Sequence, residues 1–184
     1  MLVLGTVGSQ NTKNFLGGDF ESIATTTVGA GGSASITFSS IPSTYKHLQI
    51  RCTGKSTSTG SFGDLTFNSD TGSNYTYHSL YGDGGSAASE ASAPRANVAA
   101  VVSLTASSNT NIFGASVIDI LDYTNTNKNK TVRILSGDDR NGSGFIAFVS
   151  GSWMNTNAIT SITITARANS IAQYSSFALY GIKE

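Results

Sequence analysis

Short runs of alternating apolar and polar residues recur along this chain, broken every few residues by glycine, asparagine or proline. That period of two places successive side chains on opposite faces, which a strand can use and a helix cannot. Ala34, Ile36 and Phe38 alternate with Ser and Thr before Ile41-Pro42-Ser43 ends the run. Lys46, Leu48, Ile50 and Cys52 share one face, and the more polar set Tyr45, His47, Gln49 and Arg51 the other, so Cys52 is expected to point inward. Tyr75, Tyr77 and Tyr81 share a face opposite Thr76, His78 and Leu80. Further runs begin at Phe20, Leu65, Val98, Ile112, Val132, Phe145, Ile159 and Phe177. No segment sustains a 3.6-residue period. About ten brief strands at this spacing predict an all-β chain, an antiparallel β-sandwich or barrel.

Composition supports the same class. The 184 residues include 50 Ser and Thr, 14 Asn and 20 Gly, with only 12% charged residues. Thr suits the solvent face of a strand, while Gly and Asn supply the positive φ of tight turns. Ser, Thr and Asn compete for backbone hydrogen bonds and weaken helices. Formal net charge is zero, with 11 basic residues spread along the chain, which argues against nucleic-acid binding. The lone Cys52 excludes an internal disulfide. No apolar run approaches the length of a membrane span, so membrane insertion is not expected. The first residues lack the basic and apolar regions of a signal peptide.

Residues 1–18 stand apart. They carry Leu2, Val3, Leu4, Val7, Phe15 and Leu16 without clean alternation and end in Gly17-Gly18. Two readings stay open: an extended arm docking on another protein, or an edge strand. The domain proper is expected over 19–184. Within it, Ile112–Tyr123 is apolar on both faces near Val117, Ile118, Ile120 and Leu121, which predicts a central strand buried on both sides. Residues 82–96 read as a long Gly, Ser and Ala loop, with room for one helical turn near 86–93. Residues 137–144 read as a second turn-rich loop.

Chemical motifs are thin. His47, His78 and Cys52 are too few for a zinc set, so no metal and no cofactor are expected. Asp138, Asp139 and Asn141 lie in a glycine-rich stretch, but their spacing departs from a calcium loop. Glu21, Asp119 and Asp122 are the carboxylates to weigh for glycoside hydrolysis, and no G-x-S-x-G elbow accompanies any serine. Gly29-Ala30-Gly31-Gly32 is followed by a strand, not a helix, so no dinucleotide site is expected. The chain therefore reads as non-enzymatic. Candidate ligand contacts are Tyr81, Asp83, Asp138, Asp139 and Trp153. Exposed rings can stack on the apolar face of a sugar; the same rings can instead fill a core or a subunit interface.

Four stretches resemble small structural proteins of tailed bacteriophages. They are FESIATTTVGAGGSASITFSSIPSTYKHLQIR (Phe20 to Arg51), NYTYHSLYGDG (Asn74 to Gly84), ASVIDILDYTNTNKNKTVR (Ala115 to Arg133), and SGSWMNTNAITSITIT followed by QYSSFALYGIK (within Ser150 to Lys183). Such proteins are virion, tail-fibre or head-surface components. The resemblance implies a jelly-roll-like sandwich exposed on the particle and localised to the virion. It implies capsid or tail proteins as partners, a homo-oligomer (a trimer by virion precedent), and host surface glycan as an alternative partner. No functional residues come with it.

Overall fold

The computed structural model describes residues 18–57, 61–104 and 111–183, and among them there are twelve strands and no helix. They are β1 (Phe20–Thr27), β2 (Ser35–Phe38), β3 (His47–Gly54), β4 (Ser61–Phe67), β5 (Tyr75–Gly82), β6 (Ala87–Arg95), β7 (Val98–Leu104), β8 (Gly114–Leu121), β9 (Lys130–Asp139), β10 (Gly144–Trp153), β11 (Ile162–Ala166) and β12 (Ser176–Ile182). The candidate arm residues Leu2, Val3, Leu4, Val7, Phe15 and Leu16 lie outside the described residues.

The strands form two sheets. Eight run in the order β1-β12-β3-β8-β9-β10-β5-β6 and four in the order β2-β11-β4-β7. Every neighbouring pair is antiparallel. The chain is thus an all-β sandwich, as its alternation predicts. One set of alternate residues from each sheet forms the shared interior: Leu48, Ile50, Ile118, Ile120, Val132, Ile134, Phe177 and Leu179 from the large sheet face Ile36, Phe38, Leu65, Phe67, Val98, Ile162 and Ile164 from the small one. Cys52 points inward with them. Strand β7 lies across β3, β8, β9, β10 and β5, and so closes the interior.

Three expectations need correcting. Residues 82–96 are mostly strand: β6 is paired along β5, and only residues 83–86 form the turn. The predicted helical turn at 86–93 is part of that strand. Its small polar side chains carry no apolar alternation because β6 is the sheet edge, and Pro94 is tolerated on an edge strand. Asp138 and Asp139 end strand β9 and do not sit in a loop. Finally, β8 is central but not buried on both sides. Val117 is 36% exposed, because the small sheet covers only one face of the large one.

Candidate functional site

The face of the large sheet turned away from the small one is the most unusual surface among the described residues. Register aligns an apolar row across four strands. Val117 of β8 stands opposite Leu135 of β9, Leu135 opposite Phe148 of β10, and Phe148 opposite Leu80 of β5. Leu80 and Phe148 are 56% and 57% exposed, and Ile146, two residues along β10, is 53% exposed. One row over, Gln49, Asp119, Arg133, Ser150 and His78 form a polar strip in the same register. There the Asp119 carboxylate accepts from Gln49 Nε2 at 2.8 Å and from the Arg133 guanidinium at 3.0 Å. A shallow hollow of about 740 Å³ opens over the β3–β8–β9 side, lined by Arg51, Ala115, Val117, Leu135, Gly137 and Ile146 among others.

The opposite outer face, that of the small sheet, is ordinary by comparison. Its strands β2, β4 and β11 present Ser35, Thr37, Thr66, Thr163 and Thr165, with the Thr37 and Thr163 hydroxyls hydrogen-bonded at 3.0 Å. β-Branched hydroxyl residues on a solvated strand face are what water favours. Rows of leucine, isoleucine and phenylalanine are not.

The structure also brings Tyr81, Asp83, Asp138 and Asp139 to one end of the large sheet, where β10 runs between β5 and β9. Two tight turns lie side by side there. In the β5–β6 turn, the Asp83 carboxylate accepts from the backbone N–H groups of Gly85 at 2.9 Å and Ser86 at 2.8 Å. Those bonds, Ser86 first, hold its pKa below the ordinary carboxylate range. In the β9–β10 turn, Asp138 accepts from Arg140 Nε at 2.9 Å and Asp139 from the Asn141 N–H at 2.8 Å. Gly84 and Gly142 take φ of +89° and +99°, which the turns require. Asp83, Asp138 and Asp139 line a common hollow of about 580 Å³. Among the described residues no group of three or more His, Cys, Asp or Glu is placed to hold a metal. These carboxylates serve their own turns.

Tyr81 faces the other way, into the cleft between the sheets. Its ring stacks on Phe145 at 5.7 Å, and Phe145 meets Phe62 at 5.1 Å. Together with Ser79, Glu90 and Arg167 these rings line a hollow of about 260 Å³.

Trp153 does not belong to this end of the sheet. It is 1% exposed and packs against Phe67 and Tyr75, so it is withdrawn as a ligand contact. Its surroundings are apolar rings, and its indole N–H is already satisfied. Tyr75 and Tyr77 fill the core in the same way. His47 on β3 and His78 on β5 are separated by β8, β9 and β10, about 19 Å at the usual strand spacing, and do not meet. Glu21 is bound to Tyr45 and Lys183, Asp119 to Gln49 and Arg133, and Asp122 to Lys128, each held by its own partners. They do not converge on a cleft.

The apolar row escaped the sequence reading, although its signal was present. Phe145-Ile146-Ala147-Phe148-Val149 is apolar on both faces, like the centre of β8. At the centre of β8 that pattern predicts burial on both faces, yet on both strands it accompanies one covered and one exposed face. Comparison with protein-family models, with curated proteins and with solved structures finds no match to this chain.

Proposed function

We propose that this chain is a non-enzymatic structural protein of a tailed-phage virion, exposed on the particle as a head-decoration or tail-fibre component. The virion setting comes from the sequence resemblance. The contact role rests on one observation: the two outer faces of the same sandwich differ in kind. On β2, β4 and β11 one is dressed in threonine and serine, and the other carries an in-register apolar row. An apolar face kept on a weakly charged, neutral chain fits repeated protein–protein packing. In this reading Leu2, Val3, Leu4, Val7, Phe15 and Leu16 anchor the chain to capsid or tail, and the jelly-roll-like body projects from that anchor.

Incorporation into particles tests the reading. Wild-type chain should co-sediment with virions, whereas deletion of residues 1–16 should leave a folded body that stays in the supernatant. A Phe148→Asp chain should also incorporate poorly. Normal incorporation of both variants would overturn the proposal.

A second reading has its own support: Tyr81, Asp83, Asp138 and Asp139, chosen as ligand contacts from sequence, fall at one end of the large sheet around two adjoining hollows. Acceptor oxygens beside aromatic rings suit a hydroxylated ring such as a host surface glycan. Binding of the intact protein to a glycan array, lost on Tyr81→Ala or Asp83→Ala, would favour it. An array with no signal would remove it.

A further inference from the structure

We infer that the apolar face of the large sheet is covered by the same face of a second copy, related by a two-fold axis running along the strands between β9 and β10. This rests on the contact role proposed for that face and names the partner.

The register supplies the argument. Such an axis sets β9 over the partner's β10 and β8 over the partner's β5. Positions at the same height along the strands then face each other. Leu135 falls opposite Phe148 of the second copy and Val117 opposite Leu80, so the apolar row covers itself from end to end. In the next row Ile146 falls opposite Gly137, a projecting side chain over a position that has none. The hollow over Ala115, Val117 and Gly137 thus faces the half of the sheet from which Leu80, Phe148 and Ile146 project. In the polar strip Asp119 falls opposite His78 and Arg133 opposite Ser150, so no like charges are set together.

Charge and area agree. The outward positions of β3, β8, β9, β10, β5 and β6 carry two arginines, Arg51 and Arg133, and two aspartates, Asp119 and Asp139, so two such faces approach without net repulsion. A face of six strands at about 4.8 Å spacing, each about eight residues long, is on the order of 750 Å² per copy. That reaches the size a specific two-copy interface needs, about 1,000 Å² or more in total. Isologous pairing of one patch with itself is also the commonest form of homo-oligomer.

The test uses sedimentation equilibrium of the full chain. The expected result is a species of twice the 19.0 kDa chain mass at micromolar concentration. Phe148→Asp should weaken association by at least about 30-fold, as loss of an interface anchor does. Its circular dichroism should be unchanged, because the side chain faces solvent in the single copy. Thr163→Asp on the opposite face should leave association intact. A Leu80→Cys, Val117→Cys double variant fixes the geometry. Those positions lie three strands apart in one chain, too far for an internal bridge. Facing sheets pack about 10 Å apart, so a bifunctional thiol reagent of about 8 Å span should link the two copies. A single-chain mass for the wild type at 100-fold higher concentration, a three-copy mass, or no cross-linked pair would overturn the inference. A wild type that stays single while Phe148→Asp still blocks particle incorporation would sink the second copy alone and keep the proposed contact role.

Discussion

The indole N–H of Trp153, at the end of β10, donates to the Asp70 carboxylate in the β4–β5 turn at 2.8 Å. The same carboxylate accepts from Asn74 Nδ2 at 2.9 Å and from the Gly72 N–H at 2.8 Å. One side chain thus ties the turn that links the two sheets to the largest buried ring. Asn74 and Trp153, in that order, hold Asp70 below the ordinary carboxylate range. A depressed folded value means that ionised Asp70 stabilises the fold above the unfolded pKa, and that this stability is lost as pH falls through the folded value. Asp70→Ala should cost about 1–3 kcal/mol near neutral pH. The gap between wild type and variant should close as pH drops below about 4. Urea melts at pH 7 and pH 3 check this; an equal gap at both would refute it.

Gly151 of β10 lies tightly against Val98 of β7, with no room for a side chain between them. A Cβ built there would sit 2.6 Å from Val98 Cγ1 of β7. Val98 is fully buried, so neither strand can step aside cheaply. Gly151→Ala should destabilise by about 1–3 kcal/mol through overpacking. The double variant with Val98→Ala should recover part of that loss. Thermal melts of the four proteins in the cycle decide it.

Lys130 is fully buried, and its ammonium donates to the carbonyl oxygens of Asn125 at 2.6 Å, Lys128 at 3.0 Å and Thr156 at 2.9 Å. Burial pulls its pKa below the ordinary lysine value. Its role is to pin the β8–β9 turn to the segment after β10. Lys130→Met keeps the stem but strands three acceptors, and should cost at least about 2 kcal/mol in chemical denaturation. A melt like wild type would show that water serves those carbonyls as well.

Cys52 is buried beside Ser116, and desolvation pushes its thiol up to about 12. A thiol held protonated and out of solvent does not react. An aromatic disulfide reagent should leave the native protein unlabelled and titrate one thiol after denaturation. Fast native labelling would contradict the burial of this strand face.

How much of this was legible depended on whether a local pattern reports a long-range fact. Leu48, Ile50 and Cys52 declare their inward face because one side of β3 is covered and the other is not. Strand β6 did not declare itself, because an edge strand needs pairing partners but no apolar face, and Ala87–Arg95 supplies only the former. Trp153 was misassigned because sequence cannot show that Asp70, 83 residues away, waits to satisfy its N–H. Asp83, Asp138 and Asp139 were singled out one by one. Only the strand order β9-β10-β5 brings them to one hollow. The row Val117–Leu135–Phe148–Leu80 draws one residue from each of four strands, and it exists only once register is known.

The central claim is that the large sheet's outer face is a contact surface. Hydroxyl-radical footprinting of the chain in assembled particles and as a purified Phe148→Asp protein measures it directly. The account predicts strong protection of Leu80, Leu135 and Ile146 in the particle, with Tyr174 on the exposed surface equally labelled in both. Equal labelling of those three side chains in the two states would contradict it.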